Sequence, residues 1–318
     1  AGVTGVQTCA LPILFTISRD GYFKRVSMRS YGASRDDMTG LKEGDHLVGY
    51  GEVNTLDHVL FFTTQGTYGY TPVYDVEESR WKEIGSHINS TIRISGEEKI
   101  TDAFVLRSFA TNAYMISVTK NGLVKKTAVR EYEVSRNNKT MSNMKLLDGD
   151  AVVKTMVAYA YDEILIASKN GFVSRYPVSL IPETSPRSKG VKAMNLVLDE
   201  IVSACISHGD ASQLIVFTDQ CQMKRIKLSD VDVTGRPTKG SMICKKVKSK
   251  PYQIAHIALH DLNDELVIIN EETQKILAKD ISLMSKDATF SSPLHTTQDY
   301  YFLRRSEERR VGKECRSR

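Results

Sequence analysis

Short apolar runs of five or six residues recur along this chain, and each leads through a tight turn into a second run that is usually led by a basic pair. Two such runs joined by a short turn are typical of a β-hairpin. The turn residues lie 45, 56, 49 and 50 positions apart; they are Gly21, Gly66, Gly122, Gly171 and Cys221. A weaker sixth copy runs from Leu266 to Ile276. A repeat of about fifty residues predicts a propeller, a solenoid or another array of similar units.

The fourth copy indicates how one unit is organised. Its first strand is a nearly continuous apolar run, and Asn170-Gly171 is a strong two-residue hairpin signal because both turn positions require positive φ. A polar loop, 181–190, separates this hairpin from two further strands. The four predicted strands are 164–169, 172–176, 191–196 and 201–206.

Six four-stranded units predict an all-β fold, a six-bladed propeller-like disc. No stretch of 11 or more residues has convincing helical periodicity. Other repeat families fit less well: Trp81 is the single tryptophan, which argues against Trp-Asp blades, and paired glycines typical of kelch blades do not follow the strands.

Composition restricts the class further. The chain has 318 residues, of which 41% are hydrophobic and 25% charged, and its formal net charge is +5. No apolar run approaches the 18 residues that a membrane span needs, so we expect no membrane partner. The five cysteines are irregularly spaced, which favours reduced thiols and a cytoplasmic location.

The two ends of the chain fit no repeat. Residues 1–12 are expected to be a non-native or disordered leader, and residues 306–318 a non-native or disordered tail. Residues 13–305 then form the six-repeat domain.

One stretch of the third unit carries a family resemblance. The segments 116–132 (ISVTKNGLVKKTAVREY) and 146–150 (LLDGD) resemble the third repeat of the C-terminal domain of bacterial type IIA topoisomerase A subunits. Lys189-Gly190 and Lys239-Gly240 match a Lys-Gly pair that recurs in that family's later repeats. The resemblance covers about residues 13–305. It implies a β-pinwheel, in which neighbouring blades exchange strands, and a disc that binds and bends duplex DNA around its edge.

Two members of that family differ in the loop of the first repeat. Gyrase A subunits carry a Gln-Arg-Arg-Gly-Gly-Lys-Gly-like box there, whereas this chain has residues 31–42 (YGASRDDMTGLK), with Asp36-Asp37 in place of a basic, glycine-rich stretch. The loop therefore resembles topoisomerase IV A subunits more closely. The gyrase A wrapping domain remains the alternative, and a protein-interaction propeller without a nucleic-acid role is the second alternative.

DNA binding through phosphates requires basic side chains spaced along the backbone path. We therefore expect double-stranded DNA to contact two sets of residues: the basic pairs in the second strand of the hairpins, which we call the second-strand pairs, and the basic residues of the loops that follow these strands. We expect these contacts to be strongest in units 3 to 5 and unit 1. Residues 220–250 alone hold nine basic and two acidic residues. The predicted DNA-binding residues are Lys24, Arg25, Arg35, Lys125, Lys126, Arg136, Lys139, Arg175, Arg187, Lys189, Lys192, Lys224, Arg225, Arg236, Lys239 and Lys245, with Lys246 beside them.

Other chemistry has little support in the sequence. The hairpin turns do not match a phosphate-cradling glycine motif. His256 and His260 are four residues apart in a strand-like run, where that spacing does not mimic a helical metal pair, so we predict no metal site. We nominate no catalytic residue and no cofactor in this domain. The family resemblance implies that Mg²⁺ and ATP bind elsewhere in the whole enzyme. It also implies two protein partners, the B subunit of topoisomerase IV plus a second copy of the A subunit, which bind through a part of the protein that precedes this domain.

Overall fold

The computed structural model describes residues 13–33, 39–134, 138–209, 213–260, 262, 265–269, 273–291, 301–303 and 310–311. Nearly all regular structure in these residues is β-strand, and it is grouped in six sheets of mainly antiparallel strands, one for each predicted unit. The six-bladed, all-β fold is therefore confirmed. No helix in the described ranges is long and apolar enough to cross a membrane.

Each unit contains a hairpin, a closing strand and, in units 2 to 5, a short exchanged strand. The first hairpin strands are β1 (Ile13–Ser18), β4 (His58–Thr63), β8 (Tyr114–Thr119), β12 (Glu163–Ser168), β16 (Gln213–Thr218) and β20 (Glu265–Ile269). The second hairpin strands are β2 (Tyr22–Ser27), β5 (Thr67–Pro72), β9 (Leu123–Ala128), β13 (Phe172–Pro177), β17 (Met223–Lys227) and β21 (Thr273–Leu277).

The remaining strands complete the sheets. The exchanged strands are β6 (Ser86–His87), β10 (Met141–Ser142), β14 (Val191–Lys192) and β18 (Ser241–Met242). The closing strands are β3 (Leu47–Val53), β7 (Ile100–Leu106), β11 (Val152–Ala158), β15 (Ile201–Ser207), β19 (Ile254–Leu259) and β22 (Tyr301–Leu303). A last strand, β23 (Arg310–Val311), pairs in parallel with β7. One helix of six residues, α1 (Met28–Ala33), follows β2, and single-turn 3-10 helices begin at Val73, Ile88, Val129, Val178, Leu228 and Ala278.

The hairpin turns follow from the turn residues. Gly21, Gly122 and Gly171 have φ values of 99°, 103° and 103°, a region in which residues with a Cβ are strained. Cys221 takes the same place in unit 5 at φ 59°, within the left-handed region. Its side chain is buried. Unit 5 therefore makes with a buried cysteine the turn that the hairpins of units 1 to 4 make with glycine.

Neighbouring units exchange strands, as a β-pinwheel requires. The exchanged strand of each unit pairs with the second hairpin strand of the preceding unit: β6 with β2, β10 with β5, β14 with β9 and β18 with β13. In unit 6, bridges from Ser291 to Met223 and from Leu283 to Arg225 cover β17 in the same way. The third strand predicted for unit 4 at 191–196 is shorter than expected: it spans Val191–Lys192, and one further hydrogen bond, from the Ala193 N–H to the carbonyl of Gly122, follows in the same register.

Closing strands lie nearest the axis of the disc, and exchanged strands lie at its circumference. Closing strands of adjacent units contact each other: the Thr155 N–H of β11 donates to Asp102 of β7 at 2.9 Å, and the Ile257 N–H of β19 donates to Ser203 of β15 at 3.2 Å. Apolar clusters fill the spaces between blades; one of them packs Ile116 of unit 3 with Ile166 and Tyr176 of unit 4. The fold therefore presents the segments that carry the exchanged strands as its outer edge.

Candidate nucleic-acid interface

The lysines of the second-strand pairs are buried. Lys24, Lys125 and Lys224 expose 1%, 2% and 0% of their surface, and Lys126 is buried as well. The expectation that these lysines project outward is therefore wrong. The physical reason is that the second hairpin strand is not at the edge of its sheet: the segment of the next unit covers it and supplies acceptors for the amines of Lys24, Lys126 and Lys224.

Two of these lysines bind the next unit in the same way. The Nζ of Lys24 donates to the carbonyls of Trp81, at 2.7 Å, and Glu83, and also to the hydroxyl of Thr39. The Nζ of Lys224 donates at 3.0 Å to the carbonyls of Lys286 and Ala288, which hold the equivalent places in unit 6. Each lysine therefore ties the edge of its own unit to the segment that the following unit wraps around it.

Lys125 has a different environment. Its Nζ donates to the Thr127 hydroxyl and lies 6.0 Å from the centre of the Tyr132 ring. Burial lowers the pKa of Lys125 to about 7, partly opposed by Glu131. Burial likewise lowers the pKa of Lys24 to about 8, opposed by Glu83, and it lowers the pKa of Lys224. These amines are held inside the protein at an electrostatic cost, which suits a packing role and not contact with solvent-exposed phosphates.

The second members of the pairs also bond the next unit. Arg175 donates to the carbonyls of Leu228 and Val231, at 3.0 and 3.2 Å, and forms an ion pair with Glu163 at 2.9 Å. Arg225 donates to the carbonyls of Ile281 and Lys279, and Lys126 to that of Val178 at 3.3 Å. Arg25 is half-buried at the equivalent place. We call Lys24, Lys126, Arg175, Lys224 and Arg225 the inter-blade cations and leave them, with Arg25 and Lys125, out of the proposed interface.

The basic loops, in contrast, are at the surface. Lys139, Lys189 and Lys239 are exposed, and each lies two residues before an exchanged strand, β10, β14 or β18. Lys239 rests over the ring of Phe172, with its Nζ 4.7 Å from the ring centre. Because the exchanged strands form the circumference, these three lysines occupy one repeated position on the outer edge of the disc.

Backbone hydrogen bonds link these positions from one unit to the next. The N–H of Arg93 donates to the carbonyl of Asn138, that of Lys145 to Ser188, and that of Asn195 to Thr238, at 3.0, 3.0 and 2.9 Å. Bridges therefore set Arg93 beside Lys139 and Lys145 beside Lys189. Along the edge the exposed side chains follow in the order Arg93, Lys139, Lys145, Lys189, Asn195, Lys239 and Lys245, which we call the edge row.

Sequence reasoning missed three members of the edge row, the cations Arg93 and Lys145 and the neutral Asn195. A signal for Lys145 was present, since Lys139 and Lys145 are six residues apart, as are Lys239 and Lys245. Arg93 could not be found from spacing, because its partner Lys139 belongs to the next unit and the two meet only through strand exchange.

The other predicted residues divide into three groups. Arg187, Lys192, Lys245 and Lys246 are exposed. Arg236 is half-buried and donates to the carbonyls of Leu180 and Lys192, at 2.9 and 2.7 Å. Arg35 and Arg136 lie outside the described residues, as does the Asp36-Asp37 pair of the first loop.

The edge row does not continue with the same charge into the first part of unit 2. There the segment of unit 2 that covers β2 exposes four acidic residues, Asp75, Glu77, Glu78 and Glu83, but only two cations, Arg80 and Lys82. With Lys24 buried and Arg25 half-buried in unit 1, the exposed positive edge spans Arg93 to Lys245. DNA contacts were expected most strongly in units 3 to 5 and unit 1; the proposed interface is instead confined to the segments of units 2 to 5.

The repeat pattern matches a known family. The sequence model described as "DNA gyrase C-terminal domain, beta-propeller" matches residues 12–49, 57–107, 113–158, 162–208 and 212–260, five of the six units. The chain belongs to the DNA gyrase C-terminal domain family. The resemblance to the C-terminal domains of type IIA topoisomerase A subunits is confirmed.

Individual relatives carry the topoisomerase IV name. The chain is 29% identical over 289 residues to the DNA topoisomerase 4 A subunit of Staphylococcus epidermidis, and 30% identical over 270 residues to that of Bacillus subtilis. These alignments cover 91% and 85% of this chain but 36% and 33% of the relatives. The chain thus spans about a third of the length of the curated relatives it matches.

Solved structures agree in fold. The C-terminal domain of a DNA topoisomerase IV superposes with a TM-score of 0.79 at 31% identity, over 90% of both chains. The C-terminal domain of a DNA gyrase A superposes with a TM-score of 0.74 at 19% identity, over 92% of this chain and 99% of that one, which shows the fold alone.

Proposed function

We propose that this domain binds and bends duplex DNA along the edge row, as the C-terminal domain of a topoisomerase IV A subunit. The observation that carries the proposal is the edge row itself: six exposed cations follow the circumference through consecutive units, and backbone hydrogen bonds donated by Arg93, Lys145 and Asn195 link the segments of units 2 to 5. Such an arrangement suits a phosphate backbone, because it supplies positive charge repeatedly along a curved path without a fixed pattern for reading bases.

A curved row requires a curved ligand. Bending a short duplex smoothly by 40–90° costs about 1–6 kcal/mol. Release of condensed counterions by several phosphate contacts at moderate salt can offset that cost. We therefore expect binding that depends steeply on salt and weakly on base sequence.

The wider activity follows from the relatives' names and is part of the proposal. In a complete topoisomerase IV, the domain would position duplex DNA for ATP-dependent strand passage, which unlinks daughter chromosomes and relaxes supercoils. A second copy of the A subunit, the B subunit, Mg²⁺ and ATP would act through parts of the enzyme other than this domain. The working location would be the nucleoid, in the cytoplasm.

A matched pair of double variants tests the proposal. Lys139→Ala with Lys189→Ala removes two members of the edge row, while Lys120→Ala with Lys169→Ala removes two surface lysines from the hairpin turns of units 3 and 4. Both variants lose the same net charge. Titration of a fluorescent 40-base-pair duplex at several salt concentrations should show that the first variant lowers the salt slope by about 1.8, at about 0.9 for each phosphate contact. The second should retain nearly all of the wild-type slope.

Two outcomes would overturn the proposal. Binding by the wild type that does not change with salt would favour a protein-interaction propeller. Equal losses in both variants would mean that net charge acts without a defined row. The gyrase alternative is separable, because strong positive wrapping of a relaxed plasmid would favour a gyrase-type domain over topoisomerase IV.

A further inference from the structure

The edge row has one neutral member. At the three linked boundaries, the residue whose N–H donates to the next segment is Arg93, Lys145 and then Asn195. The equivalent residue of the following unit, Lys245, is again a cation. Asn195 is exposed, as the other members of the row are.

The local structure shows that Asn195 is a true equivalent and not a shifted neighbour. In units 3 to 5 two buried residues precede this position: Asn143 and Met144 before Lys145, Ala193 and Met194 before Asn195, Ile243 and Cys244 before Lys245. The same burial pattern places the side chain at this position on the exposed side of its segment. A lysine at 195 would therefore stand where Lys145 and Lys245 stand in their own units.

We propose that Asn195 limits the affinity of the edge row for duplex DNA, by leaving one phosphate position of the path without a neutralising charge. The inference rests on the proposed function and names a residue that sets the strength of that interaction. An amide can donate a hydrogen bond to a phosphate oxygen, but it releases no counterion. Asn195 would therefore contact the DNA backbone without contributing to the salt-dependent part of the binding energy. The neutral position lies between Lys189 and Lys239, so cations flank it on both sides.

Adding a charge at this position is the direct test. Asn195→Lys should make the salt slope steeper by about 0.9. Lowering the salt from 1 M to 0.1 M should then increase the affinity of the variant about eightfold more than that of the wild type. Tyr161→Lys is the matched control, because Tyr161 is fully exposed in the turn between β11 and β12 and is not a member of the edge row, and because the substitution adds the same net charge. The control should change the slope by much less than Asn195→Lys.

The outcomes separate this inference from the proposed function. If Lys139→Ala with Lys189→Ala reduces the slope but Asn195→Lys behaves like Tyr161→Lys, the row binds DNA and the role of Asn195 is wrong. If the wild type shows no salt-dependent binding and the double variant is unchanged, the proposed function itself fails. Asn195→Ala should leave the slope within about 0.2 of the wild type, since no charge is lost; a large decrease would also contradict the proposal.

Discussion

Replacing Lys24 by Met tests whether the buried cations hold the blades together. Lys24 Nζ donates to Thr39 and to the carbonyls of Trp81 and Glu83, so the substitution removes one hydrogen bond within unit 1 and two between units 1 and 2. Methionine keeps most of the side-chain volume and does not bring a charge into the site. The Trp81 carbonyl keeps two donors, the Thr39 hydroxyl at 2.7 Å and the Gly40 N–H at 3.1 Å.

The magnitude follows from what is left unsatisfied. The part-buried carbonyl of Glu83 loses its lysine partner, and an acceptor left unsatisfied in a buried site costs about 1–3 kcal/mol. Burial lowers the pKa of Lys24 to about 8, which indicates that its charged amine is desolvated in the folded state. Because the substitution also removes this desolvation cost, it offsets part of the lost stability. We expect the free energy of unfolding to fall by about 2 kcal/mol, which for a domain of this size lowers Tm by roughly 5 °C.

Trp81 provides the assay, because it is the only tryptophan in the chain. Its ring is buried, packs edge-on against Tyr31 at 4.9 Å and lies 5.5 Å from Lys24 Nζ. In Lys24→Met, the red shift of its emission should occur at a lower denaturant concentration, while the salt slope of DNA binding stays at the wild-type value. Lys82→Met, an exposed change beside the same tryptophan, is the control and should leave both unaltered. Unchanged Trp81 unfolding together with weakened DNA binding would refute the packing role.

Two further predictions concern other parts of the edge. Since the pKa of Lys125 is lowered to about 7, the folded state binds fewer protons than the unfolded state between about pH 7 and 10.5, so the free energy of unfolding should rise with pH in that window. Lys125→Met should be more stable than the wild type at pH 6.5 and should lose part of this pH dependence in denaturant titrations; an identical slope would contradict the shift. Gly240→Ala should separate β18 from β13, because a Cβ there would lie 2.6 Å from backbone atoms of Val173 at φ +88°. We expect a loss of about 3 kcal/mol or more, measured by denaturation, and wild-type stability would refute the tight fit.

The fold could be predicted from sequence because its signals are local. Each hairpin depends on apolar runs and a turn within about a dozen residues, and glycines such as Gly122 and Gly171 mark turns that require positive φ. The exchanged strands were harder to predict from the sequence. They are two residues long, as at Val191–Lys192, and their partners lie in the preceding unit. Only the family resemblance, not the pattern of residues, predicted that exchange.

The candidate site was predicted in part. Lys139, Lys189 and Lys239 were found because a charge in a polar loop is usually at the surface. The same reasoning failed for Lys24 and Lys224, because a charged residue in a strand resembles a surface residue until the acceptors from another unit are known. Burial of a lysine depends on long-range packing, which a single sequence does not display.

Chemical modification of lysines, read by mass spectrometry with and without a 40-base-pair duplex, would locate the DNA on the domain. Without DNA, the exposed amines of Lys139, Lys145, Lys189, Lys239 and Lys245 should react, and the buried amines of Lys24 and Lys224 should not. With DNA, we expect protection of the edge row, while Lys120 and Lys169 at the hairpin turns remain reactive. Protection of Lys120 and Lys169 with an unprotected edge row would place the duplex at the hairpin turns and contradict the proposed path.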